Sequence, residues 1–422
     1  MYWCACICSS YVIQWEVPAL CLDVVSRLPF SPFDGMGKET MRITFVISSL
    51  GAGGAERVMS VMANYWAEHG RKVTLITLAS SREDFYPLHP CINRIGLGLT
   101  GVSSNLAVAA WKTLRRLKRL RQEIRASRPD VVLSFIDTTN VLTLAATLGL
   151  RVPVIASEHT DPSQHSIGFL WAALRQLLYQ RAAAIVMLTE GLRSWAEKFV
   201  HRHSVYVIPN SVSVPDKEHS DGQDWSRPGA TIVAIGRLSP VKGFDILLKA
   251  FARCVRQHSN WSLVILGEGE ERGRLEQLAV HLGITDRVKM PGRTPTPFKF
   301  LRRADLFVLS SRYEGFPMAL VEAMSCGLAV IAADCSRGIR EIVCDGVDGV
   351  LVRPDDADSL AAAMDRLMVD QVARQQLGRR ATEVLERFST DKVMKMWDKL
   401  FLRVSSGSIM ADSFMQDAEN RQ

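Results

Sequence analysis

Short apolar runs alternate with amphipathic stretches along most of the chain, beginning at Met41. The first five runs have the length of strands and read RITFVIS, KVTLITL, PDVVLSF, VPVIAS and AAIVML. Amphipathic segments lie near residues 54–69, 105–127, 168–181 and 190–200. Because the apolar runs are continuous rather than alternating, we expect strands that are buried on both faces, in a parallel sheet covered by helices.

The same pattern starts again near residue 230. Its apolar runs are TIVAIG, WSLVILG, DLFVLS, LAVIAA and GVLV, and its amphipathic segments lie near 243–257, 271–282, 317–326 and 356–369. The segment 211–229 between the two series is polar and rich in Pro, Gly and Asp, which is typical of a linker. The chain therefore predicts two doubly wound α/β domains, and the cleft between them is the expected ligand site.

These patterns also predict where the domains begin and end. We expect an N-terminal domain over 41–210 and a C-terminal domain over 230–385. A helix over 386–404 is expected to return to the first domain, followed by a flexible tail at 405–422.

Residues 1–40 differ from the rest of the chain because they show no helical or alternating period. Their first basic residue is Arg27, so they lack the positive start of a signal peptide. We interpret them as an extension that arises from a start site assigned too early, with Met41 as the true start. The alternative is a short apolar anchor on a membrane surface.

The composition is that of a soluble globular protein, with 47% hydrophobic and 23% charged residues among 422. The longest apolar stretch, at 141–150, ends at Arg151, well short of the roughly 18 residues that a membrane span needs. Nine cysteines are scattered without paired spacing apart from CACIC, and no second cluster completes a four-ligand metal site. The cysteines indicate a reduced, cytosolic protein.

A glycine-rich loop, SSLGAGGAERV, follows the first predicted strand. Gly53 and Gly54 allow the backbone to approach a ligand closely. A dinucleotide-binding fingerprint would need glycine where Glu56 stands, so that class is excluded. The alternative is a tight turn that binds no ligand.

Two cations, Arg237 and Lys242, lie in the loop GRLSPVKG between a strand and a helix start. Cations beside a helix N-terminus suit a diphosphate, although an ordinary solvated loop would have the same residues. Glu268 in LGEGEE and Arg293 in PGR occupy comparable turns and are weaker candidates for the same site.

The stretch RYEGFPMALVEAM sets two carboxylates eight residues apart, Glu314 in a loop and Glu322 in the following helix. Carboxylates do not bind phosphate, but they accept hydrogen bonds from sugar hydroxyls. Backbone N–H groups of Gly315 and Phe316 can face a phosphate beside them. The alternative is that both acids only stabilise the first turns of the helix electrostatically.

Taken together and in this order, these motifs resemble the retaining glycosyltransferases of family four over residues 41–404. The resemblance includes the glycine loop, ASEHTD, VIPNSV, GRLSPVKG, LGEGEE and the pair Glu314 and Glu322 separated by seven residues. It implies the α/β fold GT-B, in which two doubly wound Rossmann-like domains face a cleft. The N-terminal domain, 41–210, would then lie on the acceptor side, and the C-terminal domain, 230–385, would bind the nucleotide sugar. Within the family, the sequence is most similar to enzymes of lipid-linked or surface polysaccharide assembly.

The resemblance also implies a role for each matching residue. The catalytic set would be Glu314 on the donor sugar, His159 near the anomeric carbon, and Arg237 with Lys242 on the diphosphate. Glu322 would hold the nucleotide ribose, and Gly53 and Gly54 would approach the phosphate or acceptor. The other donor-binding residues would be Gly315, Phe316, Leu320, Val321, Arg293 and Glu268. Ser211 departs from the family, which usually has glycine there.

No metal or other cofactor is expected. Asp356 and Asp358 form a literal D-x-D, but they precede an apolar helix, so we interpret Asp356 as a helix cap. Arg237 and Lys242 would stabilise the leaving diphosphate in place of a divalent ion.

A basic segment, residues 111–128, contains eight Lys or Arg and one Glu, a net charge of +7 that equals the formal charge of the whole chain. Leu114, Leu117, Leu120 and Ile124 recur on one helical face. A basic amphipathic helix indicates attachment to an anionic membrane surface, which we assign to 111–125. The alternative is a solvated outer helix packed by its leucine face; nucleic acid fits less well because no recognition module is present.

The resulting expectation is an enzyme that moves a hexose or N-acetylhexosamine from an NDP-sugar, with UDP-sugar favoured, to a lipid-linked or surface glycan. It would act in the cytoplasm, peripherally on the inner face of the membrane. Two rivals remain: a GT-B sugar-nucleotide epimerase and a non-catalytic sugar-nucleotide-binding protein.

Overall fold

The computed structural model describes residues 40–101, 105–162, 164, 167–200, 204–212 and 229–406. Residues 1–39 of the predicted extension, 213–228 of the linker and 407–422 of the predicted tail lie outside the described residues.

The first half of the described chain is a parallel sheet of seven strands in the order β3-β2-β1-β4-β5-β6-β7. The strands are β1 (Arg42–Ile47), β2 (Lys72–Thr77), β3 (Asn93–Gly96), β4 (Val131–Phe135), β5 (Val154–Ser157), β6 (Ala184–Met187) and β7 (Val205–Val207). The helices are α1 (Gly54–Glu68), α2 (Leu106–Ser127), α3 (Asp137–Ala146), α4 (Phe169–Tyr179) and α5 (Glu190–Ala196).

The second half is a parallel sheet of six strands in the order β10-β9-β8-β11-β12-β13. Its strands are β8 (Ala230–Ile235), β9 (Trp261–Leu266), β10 (Val288–Gly292), β11 (Leu306–Leu309), β12 (Val330–Ala333) and β13 (Val350–Val352). The helices are α6 (Phe244–Cys254), α7 (Arg272–His281), α8 (Pro297–Leu301), α9 (Met318–Ser325), α10 (Arg337–Ile342), α11 (Ala357–Val369), α12 (Gln371–Ala381), α13 (Val384–Phe388) and α14 (Thr390–Ser405).

Each sheet is covered on both faces, as the continuous apolar strands predict. In β1, Phe45 and Ile47 belong to the core on one face, whereas Val46 belongs to the core on the other. All three are fully buried, which follows from the alternation of side chains along a strand. The prediction of two doubly wound α/β sheets is confirmed.

The helix α14 packs against the first sheet, although it follows the second one in sequence. Its Trp397 and Phe401 join the core that contains Phe45 and Trp66. The indole Nε1 of Trp66 donates a hydrogen bond to Asp398 Oδ1 over 3.0 Å. The C-terminal helix therefore ties the end of the second half to the first.

The two halves also meet at the start of α5. The backbone N–H groups of Glu190 and Gly191 donate to the carboxylate of Glu341 in α10, over 2.9 and 2.7 Å. A Cβ on Gly191 would lie 2.6 Å from the Cβ of Arg337, so a side chain there would separate the helices. Nowhere in the described part of the chain is a helix long and apolar enough to cross a membrane.

Candidate functional site

The loops that follow the strands of both sheets line one cavity of about 970 Å³. The volume lies within the range of small-molecule sites. Eleven of the residues selected from the sequence line this cavity: Gly53, Gly54, His159, Arg237, Lys242, Glu268, Arg293, Glu314, Gly315, Phe316 and Glu322. Residues up to 269 positions apart in the chain therefore share one cleft, because the carboxyl ends of both sheets face it.

Leu320 and Val321, also selected as donor-binding residues, are not at the cleft. Both side chains are fully buried in the core of the second half. Their backbone N–H groups donate to Pro317 O over 3.0 and 3.3 Å, within the first turn of α9. Neither residue presents a polar group to a ligand, so the structure assigns them to packing.

Glu314 and Lys242 form a direct ion pair in the cleft. Lys242 Nζ lies 2.6 Å from Glu314 Oε1, and Ser311 Oγ donates to the same oxygen over 2.6 Å. The predicted sugar-binding carboxylate and the predicted diphosphate-binding cation are thus adjacent. A donor with a sugar next to its diphosphate could contact both.

Arg237 and Glu268, two further predicted charged groups, are also paired. Arg237, which is largely exposed, donates to Glu270 Oε2 over 3.0 and 3.2 Å. Glu268 accepts two hydrogen bonds from Arg272, over 2.6 and 2.8 Å, and this contact lowers the pKa of Glu268. A diphosphate must therefore compete with Glu270 for the guanidinium of Arg237.

The glycines of LGEGEE serve packing. A Cβ on Gly267 would lie 1.8 Å from Gly236 O, and a Cβ on Gly269 would lie 2.2 Å from Leu238 O. The turn after β9 therefore lies directly on the turn after β8, which carries Arg237. This contact explains both glycines without a ligand.

In the glycine loop after β1, the backbone of Gly53 lies against the carboxylate of Glu56. Gly53 is the N-cap of α1, and a Cβ at Gly53 would lie 2.1 Å from Glu56 Oε2. Burial raises the pKa of Glu56. Tyr86, which the sequence gave no reason to select, donates its hydroxyl to Gly53 O over 3.1 Å.

His159 faces the cleft from the loop after β5. Its Nε2 lies 3.2 Å from Ser157 Oγ, and its ring packs against Phe135 with the centroids 3.9 Å apart. Burial lowers the pKa of His159 to about 3, so the imidazole is neutral at physiological pH. A Cβ on Gly315 would lie 3.0 Å from His159 O, which places the two predicted sites in contact across the cleft.

A buried polar network supports this loop from behind. Glu158 is fully buried, and Tyr179 donates its hydroxyl to Glu158 Oε1 over 2.5 Å. Arg175 Nη1 lies 3.7 Å from the same oxygen, and its guanidinium packs over Trp195. Burial raises the pKa of Glu158 to about 7. Such a network fixes the backbone that carries the neighbouring His159.

The D-x-D segment is a helix cap, as interpreted from the sequence. Asp356 accepts hydrogen bonds from the backbone N–H groups of Asp358 and Ser359, over 3.0 and 2.9 Å. Asp358 forms an ion pair with Arg253. Neither acid lines the cleft cavity.

The predicted leucine face of α2 is divided by the structure. Leu120 and Ile124 are fully buried and Leu117 packs against the same core, as the packed-helix alternative predicts. Leu114, however, is 65% exposed, and Trp111 is 59% exposed. The first half of α2 thus presents apolar side chains to solvent.

The second carboxylate of the motif, Glu322, is held by a residue that sequence reasoning missed. Arg57 Nη1, in α1 of the first half, lies 2.7 Å from Glu322 Oε1. No local pattern reveals such a pair, because its members are 265 positions apart. Arg237 and Glu270 are 33 positions apart, so no local pattern reveals that pair either. Only the position of Arg57 directly after the glycine loop marks it as a residue near the cleft.

Comparison with known proteins covers both halves. Residues 52–214 match the family described as Glycosyltransferase Family 4, and residues 216–384 match the family described as Glycosyl transferases group 1. A Campylobacter jejuni enzyme named as an undecaprenol-linked glycan alpha-1,4-N-acetyl-D-galactosaminyltransferase is 29% identical over 370 residues, which is 87% of this chain and 99% of that protein. The amylovoran biosynthesis glycosyltransferase AmsD of Erwinia amylovora is 26% identical, over 83% of this chain and 96% of that protein.

Solved structures share the arrangement of the two sheets. Sucrose-phosphate synthase of Thermosynechococcus elongatus has a TM-score of 0.75 at 17% identity, covering 87% of this chain and all of that one. Anabaena HepE, solved with UDP and glucose, has a TM-score of 0.69 at 20% identity, covering 85% of this chain and 98% of that one. The chain has the GT-B fold and belongs to the glycosyltransferases that join a family 4 domain to a group 1 domain.

Proposed function

We propose that this glycosyltransferase transfers a hexose or N-acetylhexosamine from a UDP-sugar, with retention at the anomeric carbon, to a lipid-linked or surface glycan. The observation that carries the proposal is the contact of Lys242 with Glu314, opposite His159 in one cleft. Under this proposal, Lys242 stabilises the leaving diphosphate and the adjacent Glu314 binds the sugar hydroxyls.

The proposed roles follow from the charges and their surroundings. Lys242 and Arg237 would neutralise charge that develops on the departing diphosphate, without a metal ion. Glu314, nearly buried and next to Ser311, is oriented to accept hydrogen bonds from sugar hydroxyls. Neutral His159 would present a hydrogen-bonding imidazole to the sugar without adding charge next to the anomeric carbon.

The acceptor proposal rests on the relatives. The Campylobacter jejuni relative is named for an undecaprenol-linked acceptor, and AmsD is named for the biosynthesis of amylovoran. A lipid-linked acceptor would suit an enzyme that lies at the inner face of the cytoplasmic membrane.

Donor binding provides the first test. UDP-sugars should stabilise the protein in a thermal-shift panel of nucleotide sugars, and Glu322→Ala should weaken that binding by roughly tenfold or more, since it removes charged hydrogen bonds to the ribose. Glu276→Ala, which removes an exposed acid outside the cleft, is the matched control. Undiminished UDP-sugar affinity in Glu322→Ala would contradict the assignment.

The products separate the proposal from its two rivals. A transferase releases UDP only when an acceptor is present and yields a glycoside with the donor's anomeric configuration. An epimerase would instead convert the free donor sugar, and a binding protein would release no UDP. Nuclear magnetic resonance of the anomeric proton distinguishes these outcomes.

We also propose that α2 attaches the protein to anionic lipid. Trp111 and Leu114 expose apolar groups at the start of the helix, and Arg115, Lys118 and Arg119 follow on its exposed side. Apolar side chains with flanking cations are typical of helices that lie in the interface of a membrane.

Changing Arg115, Lys118, Arg119 and Arg125 to Glu should therefore release the protein from anionic vesicles. Each basic residue near an anionic surface contributes about 1 kcal/mol, so vesicle affinity should fall roughly a hundredfold or more. Arg116 is left intact because it donates to Leu99 O over 2.7 Å and thus has a structural contact. Sedimentation with vesicles at low and high salt measures the change.

The matched control changes four exposed cations elsewhere to Glu, namely Arg256, Lys289, Arg379 and Lys395. Both variants alter the net charge equally. If both lose vesicle binding to the same extent, attachment depends on total charge rather than on α2.

A further inference from the structure

Arg57 connects the first half of the molecule to a predicted donor-binding residue of the second half. It lies one turn into α1, and its Nη1 contacts Glu322 Oε1 in α9 over 2.7 Å. The side chain of Glu322 is 4% exposed and that of Arg57 is 25% exposed. The contact is therefore largely shielded from water, unlike the surface ion pairs of this protein.

A second contact holds the same guanidinium in place. Arg57 Cζ lies 5.4 Å from the centroid of the Phe298 ring in α8, within the range of a cation–π interaction. Phe298 is buried in the core of the second half. Arg57 thus has two fixed partners in the opposite half, which restricts the orientation of its planar head.

The charge of Arg57 favours the ionised form of Glu322. Burial raises the pKa of Glu322, and the guanidinium of Arg57 opposes this effect by favouring the carboxylate. An ionised carboxylate only accepts hydrogen bonds and offers about four acceptor positions, whereas a protonated one turns one oxygen into a donor. One arginine contact therefore leaves positions for two ribose hydroxyls.

We propose that Arg57 is a positioning residue of the donor site, which holds the carboxylate of Glu322 in the orientation that accepts the ribose hydroxyls. This inference rests on the proposed role of Glu322. It means that the ribose subsite, although built on the second half, is complete only when the first half supplies Arg57.

The experiment combines variants of the protein with two nucleotides, one with and one without the ribose hydroxyls, and so measures the coupling between each residue and those hydroxyls. Binding of UDP and of 2′,3′-dideoxy-UDP is measured by calorimetry to wild type, Arg57→Ala, Arg57→Lys and Glu322→Ala. Arg57→Ala should weaken UDP binding by about tenfold to a hundredfold, because an oriented charged acceptor is lost. The same variant should change dideoxy-UDP binding by less than about twofold, since that nucleotide lacks the hydroxyls. Arg57→Lys should recover part of the affinity.

The matched control is Arg71→Ala. Arg71 lies beyond the other end of α1, is 27% exposed and pairs with Asp398 over 3.8 Å. It resembles Arg57 in exposure and in having a carboxylate partner, but it does not line the cleft. UDP affinity in Arg71→Ala should equal that of the wild type.

The pH dependence gives an independent readout that loss of packing would not produce. Without Arg57, the pKa of Glu322 should rise further. As the pH is lowered from about 8 to about 5, the UDP affinity of Arg57→Ala should therefore begin to fall at a higher pH than that of the wild type. In the Glu322→Gln background, Arg57→Ala should no longer shift the pH dependence, and titration of the UDP phosphate is common to all variants and cancels in this comparison. Tyr86 and Cys326, among the described residues, also interact with the charge of Glu322, and burial raises their pKa values to about 12 and about 11, above the range tested.

Two results would overturn the inference. One is UDP affinity in Arg57→Ala equal to that of the wild type, and the other is an equal loss for UDP and dideoxy-UDP, which would place the effect on the phosphates or on folding. Glu322→Ala separates these from a failure of the proposed function. If that variant still distinguishes UDP from dideoxy-UDP as the wild type does, Glu322 is not the ribose-binding residue at all.

Discussion

Replacing Lys242 with alanine should lower kcat by about a hundredfold to a thousandfold, since it removes the half-buried cation that we propose to stabilise the leaving diphosphate. The effect should exceed that of Arg237→Ala. Arg237 is largely exposed and pairs with Glu270, whereas Lys242 Nζ is held 2.6 Å from Glu314 in the cleft. Initial rates of UDP release at saturating donor and acceptor measure the difference.

Two comparisons make this prediction specific. Lys242→Ala also leaves the nearly buried carboxylate of Glu314 without its partner, so Lys242→Arg, which keeps the charge, should retain more activity. Wild-type turnover should persist in excess chelator if, as we propose, protein cations take the place of a divalent ion. Loss of turnover in chelator with recovery by magnesium or manganese would contradict the proposed role of Lys242.

The fold could be predicted because its strands are continuously apolar. Runs such as RITFVIS and TIVAIG are typical of parallel strands buried on both faces. Two of the elements that the pattern did not predict lack this signal. In β3, the sequence NRIG is mostly polar because the strand lies at the edge of the sheet. In α3, buried residues occur all around the helix, so no amphipathic period appears.

The sequence predicts those site residues that belong to short local motifs. Glu314 and Glu322 are set by one loop and one helix, and Arg237 and Lys242 by another loop. The sequence could not show that Lys242 contacts Glu314, because that pair depends on the order of the strands β8 and β11 in the second sheet. It could not show that Arg57 contacts Glu322 either, because that pair depends on how the two sheets approach each other. The resemblance also implied that Leu320 and Val321 bind the donor, but the helical period directs both side chains into the core.

Replacing Trp66 with alanine should lower the free energy of unfolding by about 3–5 kcal/mol. Trp66 is 1% exposed and packs between Phe45 of β1 and Phe401 of α14, with ring centroids 5.8 and 5.0 Å away. The substitution removes both aromatic contacts and the hydrogen bond to Asp398. It should therefore weaken the attachment of α14 as well as the core of the first sheet.

Urea unfolding followed by far-ultraviolet circular dichroism measures this loss. Trp111→Ala removes an equally large side chain that is mostly exposed, so it should change the free energy of unfolding by no more than about 0.5 kcal/mol. Phe401→Leu, alone and combined with Trp66→Ala, tests the link to α14. Because the two rings are in contact, the effects should be non-additive by about 0.5–1.5 kcal/mol. Strict additivity, or equal losses in the two tryptophan variants, would mean that α14 does not stabilise the first half through Trp66.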